Sequence, residues 1–344
     1  MRGLSSAFLA GALIGVAAVC SPARAQQNEV VVYTAYETED LAPYKAAFEK
    51  DNPGYSIRWV HNANGIITAR VLAEKANPRG DAVWGVAASS MGLMAERDTL
   101  LPYKPPGFDK IPAKFRDPSD PPTWFGNSAW VAALIYNTVE GEKAGAKKPE
   151  TWQDLLKPEF RGKIVMPHPA SSGTGFLYVS AWLQTFGEEG GWKYMDGLHE
   201  NMWRYTHSGS QPATLASRGE AIVGIAFDLR GAREKERGAP IDIVFPKEAL
   251  GWEMNAFAII KGGPNPEGAK KLADWAASDA AMKVYGATRA VAARPEFAKP
   301  IPLLPTDLAD RIMVNDFAWA AKNRERILEE WSRRYDGKAD PKKK

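Results

Sequence analysis

Residues 30–86 read VVVYTAYETEDLAPYKAAFEKDNPGYSIRWVHNANGIITARVLAEKANPRGDAVWGV, and this stretch decides the fold. Val30-Val31-Val32-Tyr33 is a short continuous apolar run, the pattern of a strand buried on both faces. Residues 39–50 then carry Leu41, Tyr44, Ala47 and Phe48 at helical spacing, and Asn52-Pro53-Gly54 stops the helix. A second strand is expected over 55–60, a loop over 61–65, a helix over 66–76 and a third strand over 81–86. Strand and helix in strict alternation mean parallel βαβ units, with ligands expected beyond the carboxyl ends of the strands.

Downstream, residues 102–122 are Pro-rich and charged and read as an irregular surface segment. A second α/β pattern follows. Strands are expected over 130–136, 162–166, 221–227, 241–245 and 255–260, and helices over 175–186 and 266–277. Residues 307–335 read as mostly helical. Two α/β lobes place a cleft between them, a favoured position for a ligand.

The first 25 residues read as a secretory signal: Arg2, an apolar run over 4–19, and Ala23-Arg24-Ala25 as a small-x-small cleavage site. Of 344 residues, 44 are Lys or Arg and 41 Asp or Glu, a formal charge of +3. The leader carries Arg2 and Arg24, no acid and the single Cys20, so the mature chain expected from Gln26 has a charge of +1 and no thiol. Near-neutrality argues against coating nucleic acid, and the lack of cysteine excludes a disulfide framework or a cysteine-based metal site. A soluble periplasmic protein is expected, with no further segment long and apolar enough to span a bilayer.

Catalytic signatures are absent: no H-E-x-x-H, P-loop, G-x-S-x-G or G-x-G-x-x-G occurs, and His61, His168, His199 and His207 show no metal-ligand spacing. No enzyme activity, cofactor or metal is therefore expected. Pro169-Ala170-Ser171-Ser172-Gly173-Thr174-Gly175 lies between a strand and a helix. Its hydroxyls and free N–H groups, at the positive end of the helix dipole, suit an anion, although a serine there also serves as an ordinary cap. Asn64-Gly65 opens a helix in the first lobe, with Asn64 as the expected cap and Gly65 allowing close backbone approach. The two helix starts could pinch one anion between them, with Thr34 and Tyr36 adding hydroxyls. Glu37, Asp228 and Glu253 sit at strand ends, and Trp84 and Trp252 supply aromatic faces. Carboxylates with aromatic rings suit an alkylammonium through charge pairing and cation–π attraction.

The order Val-Tyr-Thr-Ala (32–35), Asn-Gly-Ile-Ile-Thr (64–68), Asp-Ala-Val-Trp-Gly (81–85), Lys-Ile-Val-Met-Pro (163–167) and Ala-Ser-Ser-Gly-Thr-Gly (170–175) resembles the extracellular solute-binding proteins of ABC importers. Tyr-Thr-His-Ser-Gly-Ser (205–210), the run 238–248 and Leu-Gly-Trp (250–252) extend the likeness over nearly the whole mature chain. Within that group, which includes iron, thiamine and polyamine binders, it is most similar to the periplasmic 2-aminoethylphosphonate-binding proteins. The resemblance implies a type II fold of two lobes, each a mixed sheet flanked by helices, closing by a hinge over a cleft. It divides the chain into a signal peptide (1–25), a first lobe (26–128 and 250–290) and a second lobe (129–249 and 291–344). It implies a monomer that delivers a small zwitterion to the permease subunits. Ser171, Ser172, Gly173, Thr174, Asn64 and Gly65 would hold the phosphonate, and Glu37, Asp228, Glu253 and Trp84 the amine. Ferric binders of the group use adjacent tyrosines near Phe227-Asp228-Leu229, where this chain has none.

Overall fold

The computed structural model describes residues 28–341, so the expected signal peptide lies outside the described residues. The first lobe opens with β1 (Glu29–Thr34), α1 (Thr38–Asp51), β2 (Ser56–His61), α2 (Asn64–Ala73), β3 (Ala82–Ala87) and α3 (Ala88–Glu96). β1 pairs in parallel with both β2 and β3, as the apolar runs require. The irregular segment at 102–122 contains only short 3₁₀ turns.

The long strand β4 (Trp124–Asn137) joins the lobes. Its first half, through Val131, pairs antiparallel with β9 (Trp252–Ile259), which in turn pairs with β3. Its second half, from Ala132, pairs with β7 (Val223–Phe227) and β8 (Ile241–Val244) of the second lobe. That lobe also contains α4 (Thr138–Lys143), β5 (Ile164–Pro167), α5 (Gly173–Asn201, broken at Gly187), β6 (Met202–Thr206), α6 (Gln211–Ser217) and α7 (Asp228–Glu236). The path β2-β1-β3-β9-β4-β7-β5-β6 therefore runs through both lobes, with β4 and β9 side by side at the crossing. Tyr178 of α5 seals the second half: its hydroxyl accepts from the Ala133 N–H at 2.8 Å and donates to the Ala226 carbonyl at 2.5 Å.

The remaining elements are α8 (Pro266–Ala276), α9 (Asp279–Thr288), β10 (Val291–Ala292), α10 (Leu308–Arg311) and α11 (Phe317–Tyr335). Here the structure departs from the expected division at residue 291. β10 pairs with Ala129 and Ser128 of β4, on the first-lobe side. α11 packs against α3, so closely that a Cβ on Gly92 would lie 2.7 Å from Ala321, yet its end places Trp331 on His168 and Tyr205 of the second lobe. The described part of this segment, residues 291–341, thus contacts both lobes.

Candidate functional site

Thr34 ends β1, the loop 168–172 follows β5 and Asp228 follows β7, all at carboxyl ends of strands, while Asn64 and Gly65 open α2 after β2. In the second lobe, β5 ends at Pro167 and the chain turns through His168–Ser172 into α5. Ser172 caps that helix: its Oγ accepts from the Gly175 N–H at 3.3 Å. Ser171 Oγ lies 3.3 Å from both the His168 carbonyl and His207 Nδ1. Thr174 is buried, and among the described residues its hydroxyl enters no hydrogen bond. A Cβ on Gly209 would stand 2.9 Å from the Ser172 and Thr174 hydroxyl oxygens, so glycine there leaves their approach open.

The first-lobe helix start faces this loop, as expected, but works differently. Ala63, not Asn64, occupies the cap position of α2, and no side chain caps the helix. The Asn64 carboxamide instead accepts from the Ala87 N–H at 2.8 Å and donates to Ser90 Oγ at 2.9 Å, tying α2 to the start of α3. The Gly65 N–H, expected to meet an anion, donates across the cleft to the Ser171 carbonyl at 2.8 Å. A Cβ at Gly65 would lie 1.9 Å from the Ala170 carbonyl oxygen, so only glycine permits this contact. Gly173 completes the approach, with the Asn64 side chain and the Trp130 ring against it.

At the end of β1, Thr34 Oγ1 accepts from the Tyr36 N–H at 3.2 Å, and the Tyr36 hydroxyl donates to Asn127 Oδ1 at 3.0 Å. Glu37 is not an open carboxylate: it pairs with Arg230 of α7 at 3.4 Å. Burial raises its pKa, and the Arg230 charge offsets only part of that. Three further ion pairs join the same segments: Arg233–Asp40 at 2.5 Å, Arg237–Glu39 at 3.4 Å and Arg230–Glu39 at 3.5 Å. Asp40 is also bonded to the buried Arg289 at 2.6 Å. Burial alone would raise Asp40, but Arg289 and Arg233 outweigh it and hold the carboxyl below its usual range.

Asp228 opens α7 beside the crossing strand and accepts from the Val131 N–H at 3.2 Å. Burial raises its pKa to about 6 against the backbone donors that favour its anion. Glu253 lies within β9, paired across the ladder with Trp130. It accepts from Ser89 Oγ at 2.6 Å and from the Met254 N–H at 2.9 Å, with the Ala88 N–H at 3.2 Å. Burial raises it to about 7 despite those donors and the charge of Arg324.

The two aromatic candidates are corrections. Trp84 is fully buried in the first-lobe core, stacked on Tyr44 at 5.5 Å and surrounded by Trp59, Phe257, Trp275 and Tyr285. Trp252 donates through Nε1 to the Met313 carbonyl at 2.9 Å and packs on Phe115 and Phe317. Neither ring offers a face to the cleft. A strand buried on both sides gives no sequence signal of which side faces a ligand.

Sequence reasoning missed a polar row at the crossing. Asn127 Oδ1 accepts from the Tyr36 and Ser128 hydroxyls, the latter at 2.7 Å, and Asn255 donates to Ser128 Oγ at 3.1 Å. Asn127 Nδ2 is buried without a partner. The signal was present as Gly126-Asn127-Ser128 inside an otherwise apolar strand. Among the described residues no group of three or more His, Cys, Asp or Glu is arranged to hold a metal ion.

Comparison with known proteins identifies the family and the fold. A protein of Haemophilus influenzae, itself uncharacterized, is 33% identical over 280 residues, 80% of this chain and 79% of its own. The "Putative 2-aminoethylphosphonate-binding periplasmic protein" of Salmonella typhimurium is 24% identical over 79% of this chain and 80% of its own. Among solved structures, the periplasmic binding protein AfuA of Actinobacillus pleuropneumoniae, with exogenous fructose-6-phosphate bound, superposes with a TM-score of 0.83. It is 29% identical, and the match covers 90% of this chain and 98% of AfuA. The signature described as "Bacterial extracellular solute-binding protein" matches residues 86–304, from the end of β3 through β10, and the chain belongs to that family.

Proposed function

We propose that this protein is the periplasmic capture component of an ABC importer and that its solute is a small organic molecule with a phosphate or phosphonate head. The observation that carries this reading is the start of α5. There Thr174, a mostly buried residue whose hydroxyl enters no hydrogen bond among the described residues, stands at the positive end of a long helix, with Gly209 leaving room beside it. In this reading Ser171, Ser172, Gly173 and Thr174 hold the head. Asn64 and Gly65 act as the opposite jaw, closing on the loop rather than on the anion. The lobes rotate about β4 and β9, and the captured solute passes to the permease subunits.

Asp228 and Glu253 receive the body of the solute. With Trp84 and Trp252 inside the lobes, no aromatic box supports an ammonium. The buried row Tyr36, Asn127, Ser128 and Asn255 is bonded within itself and leaves the Asn127 amide Nδ2 as an unpaired neutral donor, suited to a hydroxyl. This favours a hydroxylated body, hence a sugar phosphate, in keeping with the fructose-6-phosphate carried by AfuA. The second reading, 2-aminoethylphosphonate, is favoured by the two buried carboxylates, which would pair with its ammonium once ionised.

Thermal shift of the mature protein tests the reading with fructose 6-phosphate, 2-aminoethylphosphonate, inorganic phosphate, putrescine and ferric citrate. Stabilisation by one of the first two is expected, because a ligand that binds only the native state raises its stability. Stabilisation confined to putrescine or ferric citrate would overturn it.

A further inference from the structure

Two histidines that the solute reading leaves unused flank the α5 loop, and both reach the end of the chain. His168 is 7% exposed. Its Nδ1 accepts from the Ala170 N–H at 3.1 Å, which places the ring hydrogen on Nε2, 2.8 Å from Asp336 Oδ1. His207 repeats the arrangement: Nδ1 lies 3.3 Å from Ser171 Oγ and Nε2 donates to the Asp340 carbonyl at 2.8 Å. The His168 carbonyl also accepts from the Ser172 N–H at 2.9 Å.

We propose that His168 and His207 are positioning residues through which the segment 336–340 sets the geometry of the solute-binding loop. The inference rests on the reading that this loop holds the anionic head. Each ring has one nitrogen on the loop and the other on the chain end, so each transmits position between them. The far side is firmly held. Lys338 Nζ donates to the His199 and Met202 carbonyls at 2.6 and 2.8 Å, and Asp340 is bonded to Tyr205 through its N–H at 2.8 Å. Trp331 packs against His168 at 4.6 Å and Tyr205 at 4.7 Å, backing the His168 ring. The loop these rings steady also presents the Ser171 carbonyl to Gly65, so its position governs both head binding and closure. A second hydrogen bond on a ligating histidine orients metal sites in the same way.

The test uses the full mature chain and three substitutions. Asp336→Ala removes the acceptor from His168 Nε2, whereas Asp336→Asn keeps a carbonyl oxygen there. His168→Gln keeps a donor toward Asp336 but loses the acceptor for Ala170. Asp336→Ala and His168→Gln should each shift the Ala170 and Ser171 amide signals in the solute-free protein. Each should also weaken fructose 6-phosphate or 2-aminoethylphosphonate, whichever the unmodified protein binds, by about two- to tenfold. Asp336→Asn should restore both signals and affinity. Nitrogen-detected spectra of the unmodified protein should show His168 with its hydrogen on Nε2. A hydrogen on Nδ1, or amide signals and affinity unchanged in Asp336→Ala, would overturn the inference. If the unmodified protein binds neither solute, the functional reading fails, while the spectra still decide this one.

Discussion

The cleft is closed at two edges by opposite means. At one, the Gly65 N–H meets the Ser171 carbonyl, a neutral backbone contact that leaves no room for a side chain. At the other, three acids at the start of α1 and just before it meet three arginines of α7 and its end: Glu37, Glu39 and Asp40 against Arg230, Arg233 and Arg237. A neutral contact acts only at short range and is indifferent to salt. A charged row acts from farther away and weakens within a screening length of about 10 Å at ordinary ionic strength. The first edge therefore sets whether the lobes can meet at all, and the second sets how readily they do.

The largest effect should come at the charged edge. Asp40 is buried against Arg289 of its own lobe, so Asp40→Asn leaves that buried guanidinium without its carboxylate whether or not the lobes are closed. Breaking a buried pair from one side should cost about 3 kcal/mol in denaturant unfolding. A loss below about 0.5 kcal/mol, the range of exposed pairs, would mean that the pair is decorative.

At the neutral edge, Gly65→Ala puts a methyl group into the Ala170 carbonyl and should weaken solute binding by about 2 kcal/mol, roughly 30-fold. The melting temperature without solute should stay unchanged, because the clash exists only when the lobes are closed. Equal loss of both would move the role of Gly65 from closure to folding.

Between the edges, Glu253 gives a pH test of opposite sign to Asp40. Its folded pKa, about 7, lies above the ordinary carboxylate value, so the folded state binds the extra proton between them. Stability should rise as pH falls from about 7 toward about 4, and Glu253→Gln should remove that rise while gaining about 1–2 kcal/mol at pH 8. Asp40 acts in reverse: its contribution is complete above the ordinary carboxylate range and is lost as pH falls through its lowered value. A pH-stability curve identical for Glu253→Gln and the parent protein would contradict the buried anion.

The smallest effect is at the rim, where Arg237 is exposed. Arg237→Gln should cost less than about 0.5 kcal/mol in solute affinity and reduce its salt dependence between about 50 and 500 mM NaCl. An undiminished salt slope would place the long-range attraction elsewhere.

Residues 30–86 were legible because β1 and β3, buried on both faces, are nearly continuous apolar runs, and the first helix between them has a clear stop at Asn52-Pro53-Gly54. α7 was not, since Asp228-Leu229-Arg230-Gly231-Ala232-Arg233-Glu234 has almost no apolar stripe; it packs on β4 and β8 through small residues such as Gly231, against Ile135 and Ile243. The α5 start was readable as a helix entrance with hydroxyls. That it faces the Asn64-Gly65 helix start was also readable, but not that the Gly65 N–H donates to the Ser171 carbonyl instead of to an anion, because the two residues lie far apart in the chain. Asn64 misled for a physical reason: Asn before Gly is a common cap, but here the Ala87 N–H competes successfully for its oxygen. Trp84 and Trp252 misled similarly, because both rings are buried within the protein.

The central claim is a solute recognised by its phosphate or phosphonate head, and calorimetry of matched pairs tests it most directly. Fructose 6-phosphate is compared with fructose, and 2-aminoethylphosphonate with ethanolamine, on the mature protein. The account predicts one-to-one binding of a phosphorus-bearing member and no measurable heat from its parent. Comparable affinity for the parent, or no heat from any of the four, would contradict it.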